Sequence, residues 1–225
     1  MKILCVSDQI DPLVYSHSIK KRFADVDVIL GAGDLPLDYL DFIVSTLNKP
    51  LFYVFGNHHV VEKPPQSFFQ EENGAFRVNL WEDSQSHVGS KVRREEGVIV
   101  AGLGGSMRYN KGPNQFTERG MYLEIAKLIP RLLWNRLFHG RFLDILLTHA
   151  PPRGIHDKPD RCHQGFKAFL WFMKKFKPRY LVHGHIHLYD LSDVRRTRWM
   201  ETEIINAYGH YVIDTDDGAM SYNAP

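Results

Sequence analysis

The sequence predicts an α/β fold built on parallel strands. Short apolar or β-branched runs alternate with longer helical patterns from the first residue onward, and each run stops at a polar or glycine-containing turn. The segments between the first three runs have the periodicity and length of crossover helices, which parallel strands require. Lys2–Ser7, Val26–Leu30 and Leu51–Phe55 read as those strands, ending in Ser7-Asp8, Gly31-Ala32-Gly33-Asp34 and Gly56-Asn57-His58. Three strands therefore deliver polar side chains at the same end. Val14–Ala24 and Leu37–Asn48 supply the crossovers. Further along, Ala75–Leu80, Val98–Leu103, Phe142–Thr148 and Tyr180–His183 read as strands, and Trp199–Ile205 with Tyr211–Asp214 as a closing antiparallel pair. Helical spacing returns over Thr117–Phe138 and over Gly165–Phe176, where Phe166, Phe169, Leu170 and Met173 repeat every three or four residues. Ser106–Phe116 and Pro151–Gln164 remain as long loops. The second starts two residues after His149 and is expected to lie over it.

Composition narrows the function classes. A chain of 225 residues, 44% apolar and 24% charged, can bury a large core in one domain, and no repeat, charge block or low-complexity linker divides it. A single domain over residues 1–225 is expected. Its longest purely apolar stretches fall far short of the roughly 20 residues needed to cross a bilayer. At the start, Asp8 and Asp11 follow a short apolar run with no small-residue cleavage site, so a mature cytoplasmic protein is expected. Cys5 and Cys162 form neither a disulfide framework nor a Cys-x-x-Cys pair. The 28 basic and 26 acidic residues nearly cancel, to +2, which argues against a nucleic-acid track or an anionic membrane as partner. Lys174-Lys175-Phe176-Lys177 and Arg195-Arg196-Thr197-Arg198 accordingly read as solvated faces. The stripe Leu133, Trp134, Leu137 and Phe138 reads as core, or as a dimer face if it is exposed.

What stands out is the set of donors at the strand ends: Asp8, Asp34, Asn57-His58, His149, and His185 with His187. Glycine directly precedes Asp34, Asn57 and His185, which lets the backbone turn tightly and bring the side chains toward a common point. Mixed oxygen and nitrogen donors favour manganese, iron or zinc over calcium. A carboxylate such as Asp34 can bridge two ions, and a two-ion site clamps the attacking and leaving oxygens of a phosphoryl displacement. His58 is then the natural proton donor or phosphate contact. Each of these residues has a plainer reading as a turn or cap, but their order along the chain favours ligation. His183 reads as a hydrogen-bonded core histidine. Arg108 follows a strand and its fork suits a phosphate, although a surface arginine explains it equally well. Arg153, His156 and His163, in the loop after His149, are weaker substrate contacts.

In this order the motifs resemble those of the calcineurin-like metallophosphoesterases: Ser7-Asp8-Gln9-Ile10, Gly33-Asp34, Gly56-Asn57-His58-His59, Thr148-His149-Ala150-Pro151-Pro152 and Gly184-His185-Ile186-His187. The resemblance spans residue 1 to about 190. It implies a four-layer sandwich of two packed mixed β-sheets flanked by helices. It also implies two divalent ions, one held by Asp8, Asp34 and His187, the other by Asp34, Asn57, His149 and His185, with Asp34 bridging and His58 assisting. Two positions depart from the family pattern. Ile10 stands where a histidine is expected and cannot coordinate, so the first ion should bind more weakly, with Asp11 as the candidate substitute ligand. His59 occupies a usually acidic position, which removes a carboxylate that would orient His58. The expected activity is hydrolysis of a phosphomonoester or phosphodiester, a nucleotide or small phosphorylated metabolite, by metal-activated water. The alternatives are an inactive scaffold of the same fold, motivated by Ile10, and a nuclease.

Overall fold

The computed structural model describes residues 1–58, 85–190 and 192–215. In chain order these residues form β1 (Lys2–Ser7), α1 (Ile19–Arg22), β2 (Val28–Gly31), α2 (Leu37–Leu47), β3 (Leu51–Tyr53), β4 (Val92–Glu95), β5 (Val98–Leu103), β6 (Ser106–Met107) and β7 (Gln115–Phe116). They continue with α3 (Glu118–His139), β8 (Ile145–Thr148), a 3-10 turn (Arg161–His163), α4 (Lys167–Phe176), β9 (Tyr180–His183), β10 (Arg196–Trp199), β11 (Thr202–Asn206) and β12 (Gly209–Asp214).

Two large sheets result, ordered β12-β1-β2-β3 and β10-β11-β9-β8-β5-β4. β1, β2 and β3 run parallel, as do β5, β8, β9 and β11, while β12, β4 and β10 pair antiparallel. The period-two alternation of the strands explains the layers. Ile3, Cys5, Val28 and Leu30 face Val100, Ile145, Leu147 and Val182 in a core between the sheets. Leu4, Val6 and Ile29 point the other way, onto Ile19 of α1 and onto Tyr39, Leu40 and Ile43 of α2. Ile99, Ala101, Leu146 and Leu181 likewise meet α3 and α4 through Met121, Ile125, Leu128, Phe169 and Phe172. Helices, sheet, sheet and helices thus make the four layers expected. Burial of each large side chain in these cores stabilises by about 1.5–3 kcal/mol.

The helix boundaries have local causes. Thr117 caps α3, accepting a hydrogen bond from the Gly120 N–H at 3.0 Å, and Gly140 closes the helix at φ +73°. Several elements differ from the sequence expectation: β4 is additional, and β6, β7 and the 3-10 turn lie within the stretches read as long loops. Only Ile19–Arg22 of Val14–Ala24 is α-helix, because the chain from Asp11 to Ser18 closes on side-chain and backbone turns instead, among them Leu13 N–H to Asp11 Oδ1 and Tyr15 N–H to the Asp11 carbonyl. Trp199–Ile205 is not one strand: the chain reverses at Met200, φ +52°, so that β10 and β11 form a hairpin. Nor does Tyr211–Asp214 pair with it, since β12 crosses to the other sheet and lies antiparallel to β1. The expected strand Ala75–Leu80 lies outside the described residues. α3 carries an exposed stripe on its outer face at Leu133, Trp134, Leu137 and Phe138, so those residues are not core.

Candidate metal centre

β1, β2, β8 and β9 all end at one edge of the sandwich, and at three of these ends the backbone turns through a left-handed residue. Asp8, Asp34 and His185 have φ of +63°, +55° and +66°. Such a conformation costs a non-glycine residue of order 1–3 kcal/mol, and strain of this kind concentrates at functional sites. The reversal re-aims each side chain back across the sheet edge. Glycines make room for it. A Cβ at Gly33 would stand 2.5 Å from His149 Nδ1, one at Gly56 would overlap the Asp34 carboxylate, and one at Gly184 would overlap Ser7 and Asp8.

Asp34, His149 and His185 bring their ligand atoms within 4.8 Å of one another. His149 is fully buried, and its Nδ1 lies 2.8 Å from the Ala32 carbonyl, so the ring donates there. Nε2 then faces Asp34 Oδ2 at 3.2 Å and Asn57 Oδ1 at 3.1 Å. Asn57 is oriented by Tyr109, because its Nδ2 donates to the Tyr109 hydroxyl at 3.1 Å and turns Oδ1 toward His149. A lone pair and two acceptor oxygens cannot face one another unaided. Either a proton or a cation belongs between them. In the metal-free protein it is a proton: burial opposes the charge on His149, but Asp34 outweighs it and raises the pKa to about 9. Asp34 is correspondingly held down to about 2, burial being outweighed by His149 and by the His58 N–H, which donates to Oδ1 at 2.9 Å. A divalent ion can replace that proton, so the residues present fit a metal.

His185 completes the group. Its Nε2 donates to the Cys162 carbonyl at 2.7 Å, which leaves Nδ1 as the lone pair, and its ring centroid lies 4.9 Å from that of His149. Burial, followed by the charge on His149, lowers the His185 pKa to about 4, so the ring is a neutral donor at physiological pH. Asp8 is held below the usual carboxylate range: burial opposes ionisation, and His187, His149 and the Ser7 hydroxyl outweigh it. Its two oxygens accept from the His185 N–H at 3.0 and 2.9 Å, and Oδ1 lies 3.7 Å from His187 Nε2. His187 is held from outside, by the Tyr189 hydroxyl at 2.7 Å and by stacking on Tyr208.

The remaining residues singled out in the sequence are distributed as follows. His58 is exposed beside Asp34. Ile10 is 43% exposed and offers no donor. Asp11 accepts from His210 Nδ1 at Oδ2 at 2.6 Å and from the Leu13 N–H at Oδ1 at 2.8 Å, so both oxygens already have partners. Arg108 bonds the Gln115 carbonyl at 3.2 Å. Arg153 pairs with Asp157. His183 is fully buried and accepts from His156, and burial pushes these two rings down to about 3 and about 4. Sequence reasoning missed Tyr109, Tyr208 and the Cys162 carbonyl. Tyr109 lies in a loop already marked as long, but no motif marks a residue whose task is to orient another side chain.

The sequence matches the family model of calcineurin-like phosphoesterases over residues 1–189. The chain belongs to that family. It is 23% identical over 205 residues to a UPF0046 protein of Caenorhabditis elegans, an alignment covering 83% of this chain and 63% of that relative's length. Among solved structures, the protein TT1561 of Thermus thermophilus superposes with a TM-score of 0.58 at 14% identity, covering 92% of this chain and 88% of its own. A further crystal structure superposes with a TM-score of 0.64 at 13% identity over 96% of this chain and 95% of that one. The chain thus spans under two thirds of the length of that curated relative, and the structural likeness establishes the fold. No helix among the described residues is long and apolar enough to cross a membrane.

Proposed function

We propose that this calcineurin-like phosphoesterase hydrolyses a phosphomonoester or phosphodiester of a small cytoplasmic metabolite such as a nucleotide. Asp34, Asn57, His149 and His185 would hold one divalent ion, and Asp8, Asp34 and His187 a second, weaker one. The observation that carries the reading is the facing of His149 Nε2 against Asp34 Oδ2 and Asn57 Oδ1 at 3.2 and 3.1 Å, an arrangement that a proton satisfies in the metal-free protein and that a divalent ion can take over. Manganese, iron or zinc, if held by these residues, would supply Lewis acidity toward the phosphoryl group and a lowered pKa for water.

The chain's own groups do the rest. Asp34 contributes negative charge between the two ligand sets, and its ionisation is secured by His149 and the His58 N–H. Asn57 is a neutral oxygen donor aimed by Tyr109. Exposed His58 can give a proton to the leaving oxygen or hydrogen-bond a phosphoryl oxygen. Hydrolysis of an aryl phosphodiester and an aryl phosphomonoester with added manganese tests the reading. Asn57→Ala and His58→Ala should each lower kcat by about 10²-fold. Absence of metal-stimulated turnover, or turnover indifferent to both changes, sinks it.

Ile10 and the engagement of Asp11 with His210 favour one alternative, a scaffold of this fold that keeps a single ion and turns nothing over. Elemental analysis giving one ion per chain, together with no hydrolysis in that assay, would select it.

A further inference from the structure

Away from Asp34, one other group of metal-ligating side chains among the described residues brings three donors within 4.8 Å of one another: Asp160, Cys162 and His163. All three belong to the 3-10 turn Arg161–His163 and its cap Asp160, in the loop that follows His149. Cys162 Sγ and His163 Nδ1 both donate to Asp160 Oδ2, at 2.8 and 2.6 Å, and the sulfur lies 3.5 Å from Nδ1. Tetrahedral zinc, with bonds of about 2.3 Å to sulfur and about 2.0 Å to nitrogen, holds those two atoms about 3.5 Å apart. The thiol and imidazole are therefore already spaced for it. The carboxylate must withdraw by about 0.8 Å to reach the same geometry, and its side chain is 47% exposed and has room to do so.

We propose that Asp160, Cys162 and His163 form an additional metal site, separate from the Asp34 centre, that takes zinc or another thiophilic divalent ion and leaves a fourth position open to water. A thiolate, an imidazole and a carboxylate select zinc over magnesium or calcium. On binding, the thiol proton passes to solvent, and the imidazole carries its proton on Nε2 while Nδ1 ligates. The site is joined to the Asp34 centre by the backbone: the Cys162 carbonyl is the acceptor that fixes the His185 tautomer, and the His163 ring centroid lies 5.4 Å from that of His185. An ion at Cys162 thus pins the partner of a residue in the other cluster.

Cobalt(II) titration of the intact protein reads the site directly, because a thiolate–cobalt bond gives a charge-transfer band. The other cysteine, Cys5, is wholly buried between the sheets and cannot supply it. The band should saturate at one ion per chain, disappear in Cys162→Ser, weaken at least tenfold in affinity in His163→Ala, and persist in Asp34→Asn. Zinc should also protect Cys162 of the unaltered protein from iodoacetamide, a readout independent of how any variant folds. No band, a band that survives Cys162→Ser or is lost in Asp34→Asn, or alkylation equal with and without zinc, overturns the proposal whether or not the protein hydrolyses phosphoesters.

Discussion

Both halves of the site hold their donors by second contacts, but the donors around Asp34 are buried and complete, whereas those around Asp8 and His187 are fewer and more open. His149 is locked by the Ala32 carbonyl, Asn57 by Tyr109 and His185 by the Cys162 carbonyl. On the other side His187 is 41% exposed and 3.7 Å from Asp8, Ile10 has nothing to offer, and Asp11 is committed to His210. Both halves draw on the same strand ends. The difference teaches that supporting contacts alone do not make two ligand sets equal: burial and the number of donors separate them, one set being open at His187 and short of a ligand at Ile10. Unequal occupancy of the two proposed sites follows.

The sharpest way to break this comparison is Asp34→Asn, which removes the carboxylate shared by both halves. Metal content measured after dialysis should fall to near zero in both sites, leaving only the Cys162 site, and turnover should vanish. Retention of a full ion at the His149 side would mean that the ligands do not depend on Asp34.

Next in size is the effect of pH. His149 has its folded pKa raised to about 9 against an ordinary 6.5, so in the metal-free protein its stabilising contact with Asp34 is complete below pH 6.5 and lost as pH rises through 9. Asp34, lowered to about 2, contributes above about pH 4 and loses its contribution only as pH falls through 2. A metal ion must displace the His149 proton, so affinity should rise by up to about tenfold per pH unit from pH 7 to 9. The melting temperature of metal-free protein should fall over that range while that of the loaded protein does not. Parallel melting curves would show that proton and ion do not compete.

Tyr109→Phe is the more local probe. It removes the hydroxyl that turns the Asn57 amide, and an outer partner of this kind is worth about 10- to 100-fold in metal affinity or activity. The loss should appear as weaker metal binding at an unchanged melting temperature of the metal-free protein. Asp11→Ala is expected to do least. It deletes a half-buried contact with His210 and should cost about 1 kcal/mol in denaturant unfolding. Metal content should stay the same, and a lost ion would restore Asp11 as a ligand.

Much of this is legible in the chain, for reasons that differ by region. Lys2–Ser7, Val98–Leu103 and Tyr180–His183 can be read to the residue, because interior strands of parallel sheets are continuous apolar runs closed by polar turns. β4 cannot, since Val92–Glu95 is an edge strand whose Arg93, Arg94 and Glu95 are exposed and carry no alternation to find. The hairpin at Met200 is hidden because a left-handed turn at a non-glycine residue leaves no compositional mark.

By itself the sequence determined which residue types stand at the strand ends, and their spacing by glycine, because coordination chemistry depends on atom type and tight turns on the absence of a Cβ. Only the tertiary structure decided what each of them faces. Tyr109 meets Asn57 across 52 positions of chain, and Asp8 meets the backbone of His185 across 177. No local pattern encodes such contacts; they arise when two sheets pack and bring the ends of distant strands to one edge.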